Sequence, residues 1–406
     1  MDTLKYWVWI TQALGPANQR VWEVTRQYVG IVEAYNGITG GNFKGMTAKE
    51  ISAFRTTHIE QAEKLIDYCT SKDINIFCYD DEINFPKRLR DIYNPPTILF
   101  CYGEISFIDD SVALGVVGAR EPSAYSVNVA EIICTELAKV GTVLVSGFAY
   151  GIDSIAHKSA LNLKSKTVAV LGSGIDYDYP KDNAKMKKIL AVNGAVISEY
   201  FPGTRPFHEY FRQRNRLISA LSLGVLIVQA SSKSGSLNTA SHALQQGKDI
   251  FCIPPHDIFD EKYSGVISLL RDGAIPVFSH LDIMYEYYEN YSHKLSIDMP
   301  FEEFFLKTPE SQSVINKKPR STQEKEKKLP PEKSENKEET IEENSIDYSM
   351  LTQVQFEIVE MLSNGTMQAD EITVKLGVNV SEVLTALTEL EMFGYIKALA
   401  GKRYSL

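Results

Sequence analysis

The 406-residue sequence contains no apolar run near the ~20 residues that a membrane-spanning helix needs. Its opening stretch, MDTLKYWVWITQALG, has no basic segment ahead of its short apolar run, so a secretory leader is not expected either. Cysteine is sparse. Cys69, Cys78, Cys101, Cys134 and Cys252 are odd in number and widely spaced, with no CxxC and no nearby pair of histidines, which argues against both a disulfide framework and a zinc site. Positive charge is also in deficit, with 42 Lys and Arg against 52 Asp and Glu for a formal net charge of −10. A chain of that balance does not coat a polyanion by bulk attraction and needs a local basic patch to hold one. The expectation is a soluble cytoplasmic protein with reduced thiols. At 44% hydrophobic and 23% charged, it has enough apolar material for two or three domains.

Composition divides the chain into four parts. Residues 1–70 have helical patterning punctuated by GITGGNFKG, which predicts a small helical domain, of the SAM-like kind. Over residues 71–290 the apolar runs SVALGVVG, TVLVSG, TVAVLG, AVISE, GVLIVQA, DIFCIP and AIPVF alternate with helical stretches. Continuous apolar strands separated by helices predict an α/β fold, an extended Rossmann-like parallel sheet covered on both faces. Residues 291–345 include KTPESQSVINKKPRSTQEKEKKLPPEKSENKEETIEENS, too polar to bury a core, and are expected to be a disordered linker. Residues 346–406 return to helical periodicity and close on KALAGKRYSL, the order of a winged-helix domain.

Ligands of doubly wound sheets bind beyond the carboxyl ends of the strands, where glycine turns admit close backbone approach and helix N-termini present free N–H groups. Several turns here qualify at once: VVGAREPSAYS, SGFAYGIDS, VLGSGIDYDYP and QASSKSGSLNTA. The dinucleotide fingerprint GxGxxG fails in LGSGIDYD for want of its third glycine, whereas repeated Ser/Gly turns suit several phosphates in a row. Arg120, at a strand end, is placed either to fork a phosphate or to pair with a carboxylate. Ser146 and Gly147, with Gly151 and Asp153, form either a ligand cradle or a tight helix-capping turn. Gly235, Ser236 and Thr239 open a helix as a phosphate seat or as its cap, and Lys181 is either a further anion contact or a solvated lysine.

FRQRNRLISA raises a sharper question. On a helix Arg214 shares the face of Phe211, Leu217, Ile218 and Leu221, so it points inward and needs an anion: a bound ligand, or an internal carboxylate such as Glu199 or Asp153. Asn215 offers an amide to the same region, while Arg212 and Arg216 are expected to face solvent and extend a basic track. Tyr177, Tyr179, Phe201 and Phe207 fall in the surrounding loops, and aromatics beside cations are what an unpaired strand needs for stacking. Asp153 and His157, at i and i+4, read as a helix contact rather than a catalytic pair, because no nucleophile or second carboxylate completes a constellation.

In order along the chain stand FPKRLRDIYNPPTILFCYGEI, VVGAREPS, VSGFAYGIDSIAH, VAVLGSGIDYDYP, ISEY, GTRPFHEYFRQRNRLISALS, SGSLNTASHAL and RDGAIPVF. This succession resembles the DNA processing protein A family, DprA or Smf, over nearly everything except the linker. The resemblance implies a non-enzymatic single-stranded DNA-binding protein of natural transformation that protects incoming strands, helps load the RecA recombinase, pairs as a homodimer and needs no cofactor or metal. Carried over by motif, Arg120, Ser146, Gly147, Lys181, Arg214, Asn215, Arg216, Gly235 and Ser236 become the DNA contacts. The pattern departs in places. Arg212 stands for a frequent proline, Pro255 for a glycine, Ile267 for a polar residue and Gln229 for a glutamate.

The third helix of the tail, SEVLTALTELEMF, carries Glu382, Glu389 and Glu391 where a groove reader would carry Arg, Lys, Asn or Gln. That composition favours a protein partner, leaving Lys397, Lys402 and Arg403 as the basic residues of the wing. The rival function is enzymatic, a nucleotide-binding phosphoribohydrolase of the lysine-decarboxylase-like type. Its PGGxGTxxE loop requires a glutamate that SKSGSLNTASHAL lacks.

Overall fold

The computed structural model describes residues 3–295, 351–363, 365–376, 378–392, 395–399 and 403–405. The linker expected over 291–345 lies, from residue 296 onward, outside the described residues. The chain divides into two compact units, residues 1–297 and 298–406.

The first unit begins with five helices, α1 (Leu4–Leu14), α2 (Arg20–Thr25), α3 (Ile31–Thr39), α4 (Ala48–Thr56) and α5 (Ile59–Ser71). Strands β1 (Asn75–Cys78) and β2 (Ile98–Gly103) follow, then β3 (Ala113–Val117), α6 (Ala124–Lys139), β4 (Val143–Ser146), α7 (Ile152–Asn162) and β5 (Thr167–Leu171). After these come α8 (Ala184–Asn193), β6 (Ala195–Ser198), α9 (His208–Leu221), β7 (Gly224–Ile227), α10 (Ser236–Gln245) and β8 (Asp249–Cys252). The unit ends with α11 (Ser264–Arg271), β9 (Ile275–Pro276) and α12 (His280–Tyr291).

The strands form one sheet in the order β1-β2-β6-β5-β4-β3-β7-β8-β9. All seven apolar runs read from the sequence are strands, and β6 through β9 pair in parallel. The order places the topological switch between β3 and β7, where chain progress reverses direction and the diverging loops leave a crevice. The sequence reading began the sheet at β3. Two antiparallel strands extend it, β2 against β6 and β1 against β2. Their run ILFCY is as apolar as the others but is preceded by a hairpin-like return rather than a crossover helix, so the βαβ alternation gives no sign of it.

Alternate strand residues feed two cores. Val145, Val168, Val170 and Ile197 face α9 and α10, represented by Leu217, Ile218, Leu221 and Ala240. Ala169, Leu171, Val196, Ile98 and Phe100 belong to the other core, together with Trp7, Trp9, Trp22 and Phe54 of the N-terminal helices. The helices are tied to the sheet side by hydrogen bonds as well: Thr11 Oγ1 lies 2.7 Å from Thr97 Oγ1, and Trp22 Nε1 donates to Pro95 O at 2.9 Å.

In the second unit α13 (Gln353–Leu362), β10 (Met367–Gln368), α14 (Ala369–Leu376) and α15 (Val380–Met392) precede the hairpin β11 (Lys397–Leu399) and β12 (Arg403–Ser405). Three helices and a three-stranded sheet in the order β10-β12-β11 make the winged-helix arrangement. The short β10, which the sequence reading lacked, pairs with β12 and closes the wing onto the helical core of Ile358, Ile372, Val383 and Leu387. No helix among the described residues is long and apolar enough to cross a membrane.

Candidate nucleic-acid interface

The loops at the carboxyl ends of β3, β4 and β7 are locked together at the switch point. Gln229, 2% exposed just past β7, accepts a hydrogen bond from the Ser123 N–H at 2.9 Å, joining the β7 end to the loop after β3. Gly151 has φ +70°, and a Cβ there would stand 2.3 Å from Ala119 O and 2.4 Å from Arg120 O. Only glycine lets the α7 turn lie against the Arg120 loop. Ser146 is fully buried and its hydroxyl donates to Val116 O at 2.6 Å, bracing the β4 end against β3.

Gly147 supplies the floor. Its Cβ position is 2.6 Å from Arg214 Nη2 and 2.7 Å from Asp153 Oδ2, so any side chain would displace both. The Arg214 guanidinium donates to Gly147 O at 2.6 Å and to Val170 O. The inward arginine thus meets Asp153, the internal carboxylate, and two strand-end carbonyls. Arg214 is 4% exposed and Asp153 7%. Burial raises the Asp153 carboxyl and lowers Arg214 to about 10, while the charge of each partner opposes the other's shift. At neutral pH the guanidinium is still protonated.

Above this floor lies a cation–aromatic group. The Arg120 and Arg214 guanidinium carbons lie 5.8 and 5.7 Å from the Phe211 ring centroid, and Tyr179 packs on Phe211 at 5.5 Å. Arg120, Phe211 and Tyr179 are all partly exposed. The next residue of α9 reaches the neighbouring turn: Asn215 Nδ2 donates to Gly235 O at 3.4 Å and Asn238 Oδ1 at 3.3 Å. Gly235 is exposed with open space at its Cβ position, and Ser236 is 8% exposed with its hydroxyl 2.7 Å from Ser234 Oγ.

The structure therefore brings Arg120, Gly147 and Arg214 into one group and Asn215, Gly235 and Ser236 into a second, with α9 running through both. Lys181 is exposed in the 3-10 turn before α8, where its neighbour Asp182 accepts from Tyr150 OH at 3.0 Å. Arg216 differs from the solvent-facing expectation. It is 7% exposed and its Nη2 is 2.8 Å from a Glu199 carboxylate that is itself 1% exposed. The expected opposite stripe is covered by the chain near Ala17 and by α10, leaving Arg212 as the exposed member of the pair. Gln229, read as freeing the arginines for an external anion, spends its acceptor on Ser123 instead. Phe211 was read only as an apolar-face residue; its i, i+3 spacing to Arg214 was the signal that it shares the site.

Asp153 and His157 do not contact one another through a shared bond. Asp153 Oδ2 accepts from Ala149 N at 3.2 Å, while His157 Nδ1 lies 2.8 Å from Thr167 Oγ1. The Thr167 hydroxyl donates to Leu144 O, so Nδ1 of the imidazole is the protonated nitrogen. Burial, aided by Arg214, depresses His157 to about 3. The unfolded chain then binds the extra proton between pH 6.5 and about 3, so the stability this histidine contributes is complete above 6.5 and is lost as pH falls. Wild type should lose about 2 kcal/mol more than His157→Gln between pH 6.5 and 5 in urea titrations. Equal losses would mean that the imidazole is not held neutral.

Among the described residues, no group of three or more His, Cys, Asp or Glu side chains could hold a metal ion. Residues 75–288 match the family model described as DNA recombination-mediator protein A, and residues 349–402 match the DprA winged helix domain. The chain is 30% identical to Protein Smf of Escherichia coli over 360 residues, which span 88% of this chain and 84% of that one. It is 38% identical to DNA processing protein DprA of Bacillus subtilis over 202 residues, 50% of this chain and 68% of the relative. The crystal structure of DNA processing protein A from Streptococcus pneumoniae superposes with a TM-score of 0.62 at 30% identity, covering 70% of this chain and 99% of that one. A switch-point crevice floored by Gly147 and Arg214, a tail with winged-helix topology, and likeness across most of both chains lead to one assignment: this protein belongs to the DprA/Smf family.

Proposed function

We propose that the strand-end crevice binds single-stranded DNA through its phosphates and bases without sequence preference, and that the protein is a mediator of DNA uptake and recombination rather than an enzyme. The observation that carries this reading is the packing of Arg120 and Tyr179 around Phe211 at the switch point. A cation held against an aromatic platform offers a phosphate contact and a stacking surface together. In this reading Arg120, Lys181, Asn215, Gly235 and Ser236 touch the strand. Ser146, Gly147, Arg214 and Arg216 hold the backbone that presents them. Protection of incoming strands, assistance to the RecA recombinase and action in the cytoplasm follow from family membership and are part of the proposal. A homodimer is supported by Phe259 and Phe278, 86% and 78% exposed in the loops after β8 and β9. Their apolar area asks for cover.

The winged-helix tail is assigned to a protein partner. Glu389 and Glu391 are exposed on α15, and Glu389 is engaged by Gln355 at 2.5 Å. Acidic groups on that helix repel a phosphate backbone. The Glu382 side chain and Lys402 lie outside the described residues. Lys397 and Arg403 are exposed, with Arg403 bonded to Thr366.

The test is a titration of the full chain against labelled oligo-dT and a duplex of equal length over a salt series. The single strand should bind more tightly, with a log–log slope of about −0.7 for each phosphate contacted. A flat salt response, or release of free base from nucleoside monophosphates, would replace this reading with the phosphoribohydrolase one.

A further inference from the structure

A cleft separate from the cation–aromatic group opens between α9, α10 and the segments around residues 17–19 and 91–94, enclosing about 380 Å³. That is the scale of a small-ligand site. One wall carries Gln19, Tyr93 and Asn94; the other carries Arg216, His242 and Gln246. Its charges cancel. Asp91 and Glu209 oppose Arg212 at the rim, and Arg216 is already neutralised by Glu199. What remains is a lining of neutral amides and an imidazole, which pairs poorly with a phosphate and well with a flat group that has donors and acceptors along its edge.

Three polar atoms in these walls have no hydrogen-bond partner: Asn94 Oδ1, Gln246 Oε1 and Arg216 Nε. Their amide counterparts are engaged, Asn94 Nδ2 with Ala17 O at 3.0 Å and Gln246 Nε2 with Arg216 O at 3.0 Å. An unpaired buried polar atom is costly, and here two acceptors lack a donor and one donor lacks an acceptor. Tyr93 at the mouth is 82% exposed, its hydroxyl held by Gln19 Nε2 at 2.6 Å, which fixes a ring for stacking.

The cleft is continuous with the proposed DNA path. Asn238, bonded to Asn215, lines it, and His242 follows one helical turn later on the same face of α10. From Ser236 to Gln245 the helix advances about 14 Å. We infer that this cleft receives one nucleobase of the bound single strand, so that the N-terminal segments supply a base-stacking station beyond the strand-end phosphate site. The inference rests on the DNA-binding reading of the preceding subsection. A base adds edge hydrogen bonds to the amide walls and a face to Tyr93, and nothing in the pattern selects a particular base.

The experiment uses full-length protein and oligo-dT in which single abasic sites are placed at successive positions. For wild type, one abasic position away from the minimal phosphate contacts should weaken binding about 5- to 100-fold. In Tyr93→Ala/His242→Ala that position should become silent while the salt slope is kept, and Tyr93→Phe should restore the sensitivity. Oligonucleotides too short to reach the cleft should bind wild type and the double variant equally. If the double variant keeps the wild-type abasic profile, or if Gln246→Ala and Tyr93→Ala lose nothing on long strands, the base station is wrong while the DNA reading stands. If wild type shows no salt-dependent binding to any oligonucleotide, both fall together.

Discussion

Arg120→Ala should bind labelled oligo-dT about 10- to 100-fold more weakly than wild type and should unfold at the same denaturant concentration. The magnitude follows from one charge-assisted contact, about 1.5–3 kcal/mol, with about 1.4 kcal/mol per tenfold in affinity. The side chain is partly exposed beside Phe211, so its removal opens no core cavity. The salt slope should become shallower by about 0.7, the share of one phosphate. Arg120→Lys separates charge from geometry: it keeps the slope but not the bidentate fork and should recover only part of the affinity. Unchanged binding by Arg120→Ala would remove the switch-point crevice from the DNA path.

Glu199→Ala gives the second large effect, and on stability rather than affinity. Glu199 and Arg216 are 1% and 7% exposed and 2.8 Å apart, where the end of β6 meets α9. Burial drives the Glu199 carboxyl upward, and the adjacent Arg216 charge is what opposes the shift. Taking away the carboxylate leaves a buried guanidinium without its counter-charge, a loss of about 3–5 kcal/mol. Replacing both partners, Glu199→Leu with Arg216→Met, should return most of that loss because no unpaired charge is left. The measurement is a urea titration of the three proteins. A Glu199→Ala chain as stable as wild type would show that Arg216 finds another anion, and oligo-dT affinity per folded molecule would then reveal whether DNA is that anion.

The parallel part of the sheet was legible because buried strands leave an unmistakable pattern: GVLIVQA and TVAVLG have no polar face to confuse them with amphipathic helices. β1 and β2 were not, since NIFC and ILFCY are short and antiparallel pairing to β6 is a tertiary choice. At the site, the inward aim of Arg214 followed from helical spacing. Which carboxylate would meet it did not, and Asp153 and Glu199 turn out to serve Arg214 and Arg216 respectively. Arg216 was misjudged because a helix wheel knows only one partner surface, whereas α9 is enclosed on two sides: sheet on one, α10 on another. The glycine turns announced a strand-end site. They could not announce the cleft near Tyr93, whose walls come from three segments far apart in sequence, around residues 17–19, 91–94 and 209–246.

Since Trp9 and Phe54 share an interior with Phe100 and Val196, the five amino-terminal helices have no apolar interior of their own to retain once severed. Calorimetry of residues 1–297 should accordingly register a single cooperative melt, and a fragment starting at residue 71 should aggregate through its uncovered sheet instead of behaving as a portable module.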